Sequence, residues 1–235
     1  MADEYPPGHA SARHAHRRSQ LFYGTRGVVR VVTKAGTWIA PPHRAVWVPG
    51  GIEHQVVCRG AVAFRTLYIE PDANSHLPAT CCVLDVSDLL RALILRAVAL
   101  PLEYDPAGPD GRVMVLILDE LVAATASPLH VPMPAMPALR RLCETFLRDP
   151  ARKDDIDGWA AQAAMSRRTL TRRFRVETGM TIAQWRQQAR MMEALSRIGE
   201  GTSVTAAAFE VGYDSASAFS AAFRRIFGRP PTHYR

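Results

Sequence analysis

Val211-Gly212-Tyr213-Asp214-Ser215-Ala216-Ser217-Ala218-Phe219 holds the end of one helix, a turn and the start of another. Gly212 can take the positive φ that stops a helix. Ser215 offers a side-chain oxygen to the free N–H groups of the next first turn. Phe219 and Phe223 fall four and eight residues after that serine, on one buried stripe. The arrangement recurs upstream at a constant offset of 49, where Ser166, Leu170 and Phe174 match Ser215, Phe219 and Phe223. Met165 can close on Leu170 as a hydrophobic staple. Before each serine, residues 159–164 and 204–211 read as short helices of small residues, which lets two helices cross closely in a helix-turn-helix. Between the units, Thr181 caps a longer helix with Ile182, Trp185, Ala189, Met192 and Leu195 facing inward. Running to about Ile198, it spans roughly 26 Å at ~1.5 Å per residue. Such a spacer can hold two recognition helices about one duplex turn, ~34 Å, apart on one DNA face.

The stretch continues as Phe223-Arg224-Arg225-Ile226-Phe227-Gly228-Arg229-Pro230-Pro231 and Tyr234-Arg235, and as a whole resembles the signature of AraC/XylS transcription regulators. Met165-Ser166-Arg167-Arg168-Thr169-Leu170, with Phe174 and Glu177-Thr178-Gly179, resembles their first recognition helix. The likeness covers about residues 138–235. It implies an all-α domain of two helix-turn-helix units that binds double-stranded DNA and regulates transcription, with RNA polymerase as a partner if the protein activates. Two positions depart from the family pattern. Ala164 stands where a glycine is usual, at a mild backbone cost, and Ala221 stands where an arginine is frequent.

The second departure makes base reading lopsided. On the second recognition helix the side facing DNA reads Ala216, Ser217, Ser220 and Ala221, with no long hydrogen-bonding arm. On the first, Arg168 and Arg172 share a face four residues apart, with Thr171 beside them. An arginine fork fits the O6/N7 edge of guanine, and a threonine methyl fits thymine. Arg167, Arg173 and Arg175 point elsewhere and suit phosphates, which position a protein without reading sequence. Charge agrees with this placement. Residues 1–130 carry 12 basic and 12 acidic side chains, whereas residues 131–235 carry 17 and 10, so the whole net charge of +7 lies in the C-terminal part. Sixteen of those 17 are arginine, which suits a polyanionic partner.

The N-terminal part reads differently. Residues 20–70 divide into short strand-like runs at 21–23, 28–33, 37–39, 45–48, 55–58 and 63–69, with turn signals at 24–27, 34–36, 41–42, 49–51 and 59–60. Many short strands at this spacing mean a sandwich or barrel. In a strand, His14, His16 and Gln20 project to one side, and Pro49-Gly50-Gly51 turns the chain so that His54 joins them. Three converging imidazoles suit a divalent transition metal such as zinc, nickel or iron. Such a site weakens as pH falls below ~6.5, because its ligands must be unprotonated. The other reading of these residues is a histidine-lined pocket that holds an organic small-molecule effector or water. Gly8, His14-Ala15-His16, Gln20 and Gly27, in their spacing, resemble the first cupin motif with Gln20 in place of glutamate. Pro49-Gly50-Gly51-Ile52-Glu53-His54 resembles the second, with His43 where it usually starts with glycine and Cys58 where it usually ends with asparagine. His9 and His43 are nearby spares, while His76, His130 and His233 read as surface residues.

Between the two parts lie two helical patterns. Residues 87–100, opened by Ser87 or Asp88, carry Leu89, Leu90, Leu93, Ile94 and Ala97. Residues 113–126 are apolar on nearly every side, with Val115, Leu116, Leu118, Leu121 and Val122, which calls for a neighbour beyond the chain's own barrel. The expected order is therefore a cupin-like effector- or metal-binding barrel at 1–86 and a helical homodimerisation segment at 87–127. A proline-rich linker at 128–137 and the DNA-binding domain at 138–235 follow, for an α+β chain overall. The leading function is a DNA-binding regulator whose barrel senses a metal ion or small molecule. The alternatives are a cupin metalloenzyme (dioxygenase or isomerase) with a DNA-binding tail, and an effector-independent DNA-binding dimer. The N-terminus lacks the pattern of a signal peptide, no apolar run reaches the ~20 residues of a membrane span, and four scattered cysteines suit a reducing cytoplasm.

Overall fold

A computed structural model describes residues 2–234 of the chain; Arg235, the last residue of the C-terminal motif, lies outside them. The chain divides into two compact units, the first running to Thr33 and resuming at Trp38–Leu129, the second comprising Lys34–Thr37 and the chain from His130 onward. Its class is mixed α+β, with sheet and two helices first and an all-helical region last.

The first unit contains β1 (Ala2–Tyr5), β2 (Ser19–Thr33), β3 (Gly36–Ala40, shared between the units), β4 (Arg44–Val48), β5 (His54–Ile69), β6 (Cys82–Asp85), α1 (Asp88–Ala97), α2 (Pro109–Ala123) and β7 (Ala126–Ser127). Hydrogen bonding orders the sheet β1-β5-β2-β4-β6-β7, with β3 beside β2. The β2–β5 ladder runs antiparallel from Ser19 opposite Ile69 to Thr33 opposite His54.

Here the structure corrects the expected strands. The signals at 24–27 and 59–60 are not turns, because β2 and β5 continue through them. The register shifts between Gly24 and Val28, and Gly27 and Gly60 both have positive φ, +73° and +69°. These glycines mark bulges, which bend a strand without ending it and let a long ladder curl. A local turn signal cannot distinguish a bulge from a reversal.

Alternation along β2 gives the sheet two different faces. Leu21 and Tyr23 join Ala45, Trp47 and Leu84 in a core that Leu90, Ile94 and Ala97 of α1 and Ile117 and Leu121 of α2 complete. Each such aliphatic side chain contributes about 1.5–3 kcal/mol on burial. Gln20 and Phe22 project to the opposite side. Ser87 is the cap of α1, accepting the Leu90 N–H at 3.0 Å. The outer faces of these helices remain apolar: Leu89, Val115, Leu116 and Val122 are 40–58% exposed.

The second unit begins with β8 (His130–Pro132), inside the proline-rich stretch, and continues with α3 (Pro137–Arg148), α4 (Ile156–Gln162), α5 (Arg167–Thr178), α6 (Ile182–Gly199), α7 (Val204–Glu210), α8 (Ala216–Phe227) and a final 3₁₀ turn at Pro231–Tyr234. Residues 34–37 belong here, with the Met133 N–H donating to Ala35 O at 2.8 Å and Arg140 donating to Lys34 O at 2.7 Å. Phe146, Trp159, Phe174 and Trp185 form one aromatic core with ring centroids about 6 Å apart. Tyr213, Phe219, Phe223, Phe227 and Tyr234 form the other. Helix α6 is buried along most of its length, as a central helix serving both halves must be.

Candidate functional site

The two helix-turn-helix units are α4–α5 and α7–α8. Ser166 caps α5 by accepting the Thr169 N–H, and Ser215 caps α8 by accepting the Ala218 N–H, each at 3.2 Å. Thr181 forms a capping box with Gln184 at the start of α6. The tight turns also match. Met165 N–H bonds to Ala160 O and Tyr213 N–H to Ala208 O, both at 3.0 Å, which places Ala164 and Gly212 at the same left-handed position. Gly212 has φ +86° and Ala164 φ +53°. An alanine there costs roughly 1–2 kcal/mol in backbone strain.

On α5, Leu170, Phe174 and Thr178 face the core, leaving Arg167, Arg168, Thr171, Arg172, Arg173 and Arg175 exposed. Arg167 turns toward Asp157 of α4 at 3.5 Å; among the described residues it is the only one of these arginines in an ion pair. The Thr171 hydroxyl donates to Arg167 O at 2.9 Å, so its methyl is the part left to face a ligand. On α8, Ser217 is exposed with its hydroxyl 3.2 Å from that of Ser215, while Ala216 and Ser220 are half-buried. One feature escaped the sequence reading. Arg186, Gln187 and Arg190 of α6 line a groove of about 420 Å³ with Tyr213, Asp214 and Ser215. The Arg186 guanidinium lies 4.7 Å from the Trp159 ring centre. Helix α6 reads as a spacer from its apolar stripe, and nothing local marks its arginines as neighbours of the second turn.

In the first unit, His14, His16 and His54 place one ring nitrogen each within 4.8 Å of one another. Their placement differs in part from the expected one. His54 does open β5, but His14 and His16 precede β2 and lie outside any strand, joined only by an isolated bridge from His14 to His54. Close turn packing, and not strand parity, positions them. The Gly51 N–H donates to His16 O at 2.8 Å and the Gly50 N–H to Ser19 Oγ at 3.1 Å. A Cβ on Gly50 would sit 2.0 Å from Arg17 O, so only glycine allows the turn to dock there.

The ring orientations are set by backbone carbonyls. Nδ1 of His14 lies 2.9 Å from Ala12 O, that of His16 2.6 Å from Arg18 O, and that of His54 2.9 Å from Ile52 O. A carbonyl only accepts, so each Nδ1 carries the proton and donates, and each neutral ring presents an Nε2 lone pair. Carbonyl partners of this kind are the usual outer support of metal-ligating histidines. Gln20 completes the group, with Oε1 2.7 Å from His16 Nε2 and 3.2 Å from His54 Nε2. Its amide nitrogen donates to the Tyr68 hydroxyl at 3.1 Å. With each Nδ1 committed to a carbonyl, a ring in its neutral form turns an Nε2 lone pair toward the Gln20 oxygen, an arrangement that a cation relieves. Burial, chiefly, holds the His54 imidazole below its ordinary pKa, with His14 and His16 adding to the effect and the Ile52 carbonyl opposing it. That favours the neutral, ligating form.

The remaining candidates lie elsewhere. His9 packs against Tyr5, with ring centres 4.2 Å apart and the rings tilted by 31°. His43 holds φ +66°, the conformation for which the cupin pattern uses glycine. His130, expected at the surface, is half-buried, and burial lowers its pKa. All four cysteines are free thiols; burial pushes Cys58 and Cys82 up to about 11 and Cys81 to about 12, which leaves them unreactive.

Comparison with known proteins agrees with both halves. A family profile described as a helix-turn-helix domain matches residues 159–235, and one described as a cupin domain matches residues 3–70. The HTH-type transcriptional regulator NimR of Escherichia coli (strain K12) is 35% identical over 223 residues, covering 94% of this chain and 81% of that protein. A putative AraC-like transcription regulator of Streptomyces lividans is 33% identical over 162 residues, covering 68% of this chain and 47% of its own. Among solved structures, ToxT from Vibrio cholerae aligns over 100% of this chain and 96% of its own at 10% identity and a TM-score of 0.43.

Proposed function

Because the chain belongs to the AraC/XylS family of helix-turn-helix transcription regulators, we propose that it reads double-stranded DNA through α5 and α8 and takes its signal at the histidine centre of the first unit. The observation that carries the second part is the convergence of one ring nitrogen from each of three histidines, with the Gln20 amide oxygen against two of them. Ligand atoms ~2.0–2.1 Å from a tetrahedral ion lie about 3.4 Å apart, so the ring nitrogens, within 4.8 Å of one another, would close by up to about 1.4 Å on binding. Imidazole and amide donors fit zinc, nickel or iron, whereas magnesium and calcium call for more oxygen ligands. His14, His16 and His54 would hold the ion and Gln20 or water would complete its shell. A bound ion supplies a fixed positive charge and cross-links the segment before β2 to the start of β5.

The barrel is a sensor and not a catalyst in this reading. No carboxylate joins the histidine group among the described residues. Effector binding must favour one arrangement of the DNA-binding unit, since a ligand with equal affinity for both states shifts nothing. The outer faces of α1 and α2 pair two subunits, and a homodimer brings two copies of α5 and α8 to two half-sites. RNA polymerase is a further partner if the protein activates. Such a regulator works in the cytoplasm.

Metal analysis of the purified full-length protein at neutral pH tests the reading. The expected result is about one zinc, nickel or iron per chain, lost in His16→Ala and kept in His76→Ala, with the helical unit folded throughout. A wild-type protein that takes up none of these ions at micromolar concentration would make the same histidines hydrogen-bonding groups of an organic-effector pocket.

A further inference from the structure

We propose that Gln20 makes this centre a metal-dependent anion site, in which the bound divalent ion takes a small carboxylate as its remaining ligand. The inference rests on the metal reading above and concerns what the donor set leaves over. Three neutral imidazoles and one neutral amide compensate none of a divalent ion's charge. A glutamate in place of Gln20 would cancel half of it.

No other group makes up the difference. Among the described residues the cluster contains no aspartate, glutamate or cysteine. Of the acidic residues flanking the centre in sequence, Glu53 is exposed and Glu70 is held by Arg17 and Arg18 at 2.5 and 2.6 Å. The Gln20 amide cannot acquire charge, and its nitrogen is turned to the Tyr68 hydroxyl. His54 is fully buried, and the edge-on Phe22 ring 6.0 Å from it closes the inner side with low-dielectric material. His14 is exposed and Tyr68 is 45% exposed, so the centre opens to solvent on the other side. An uncompensated cation against an apolar wall, reachable from water, attracts an anion strongly and specifically. A site with three histidine ligands and one weak neutral ligand has a coordination position to give it.

The test uses the full-length protein loaded with cobalt(II), whose visible spectrum reports changes in its ligands. Sodium acetate is the probe, acetamide its neutral isostere, and sodium perchlorate the ionic-strength control. Acetate is expected to change the bands saturably, with acetamide and perchlorate at least about tenfold weaker. Gln20→Glu is expected to bind cobalt more tightly and acetate at least about tenfold more weakly. A spectrum indifferent to acetate, or equally responsive to acetamide, overturns the anion assignment and leaves the metal reading standing. A wild-type protein that binds no cobalt overturns both. Because the acetate–acetamide comparison is made on the wild type, it decides the matter even if the variant does not fold.

Discussion

Ala164 and Gly212 occupy the same place in two copies of one turn, yet only one of them has the residue its backbone wants. Both sit in the left-handed region, where a Cβ meets the following carbonyl and alanine costs roughly 1–2 kcal/mol. Glycine regains most of that and loses some to its freer unfolded chain. Ala164→Gly should therefore stabilise the helical unit by about 0.5–1 kcal/mol. Gly212→Ala should do the reverse and more, because its Cβ would also lie 2.9 Å from Ala151 Cα. Urea unfolding of the two variants checks both signs; equal effects would mean that the turns are not equivalent. The strain at Ala164 was legible before any coordinates only through the family pattern, which has glycine there; counted back from the serine caps, Gly212 would match Ala163, because the second turn is one residue longer. Gln20 was legible as a companion of His14 and His16 and as a missing carboxylate. Its contacts to both His16 and His54 depend on how a distant turn docks on the chain before β2, and no local pattern encodes that.

At the scale of elements, the two recognition helices present unequal surfaces. Helix α5 exposes Arg168 and Arg172 beside the Thr171 methyl, whereas α8 offers Ser217 and half-buried Ala216 and Ser220. Arg172→Ala should cost about 1–3 kcal/mol on the cognate site and relax selectivity at one base pair, while Ser217→Ala should cost little. Competition binding on a duplex selected from a random library measures both; similar losses would divide the reading evenly. Helix α2 changes which residue tests dimerisation. The sequence pattern points to Leu118, but that side chain packs against the core beneath the helices, so a charge there would damage the fold. Val115, 58% exposed on the outer face, is the better probe. Val115→Glu should give a folded monomer in sedimentation, because a carboxylate is costly in an apolar seam; an unchanged dimer would move the interface elsewhere. Helix caps and stripes were readable because they are local. The long strands β2 and β5 were not, because a bulge and a turn use the same glycine and only the partner strand distinguishes them.

At the scale of the whole molecule, a neutral sensor half and an arginine-rich DNA-binding half are joined in one chain, and their value as a regulator lies in coupling. Clustered arginines make binding steeply salt-dependent, with about 0.9 in log–log slope for each phosphate neutralised, so any comparison must hold ionic strength fixed. If the histidine centre is the sensor, its occupant must bind the DNA-competent and DNA-incompetent states with different affinity. The most direct measurement is the affinity of the full-length protein for its selected duplex at constant salt, with the metal found in the purified protein either supplied or chelated, for wild type and for His16→Ala. Coupling energies of ~1–3 kcal/mol are typical, so the wild-type dissociation constant should change at least about fivefold with metal, and that of His16→Ala should not change. Equal affinities in the two wild-type conditions, with the metal demonstrably bound in one of them, would contradict a sensing role for the histidine centre.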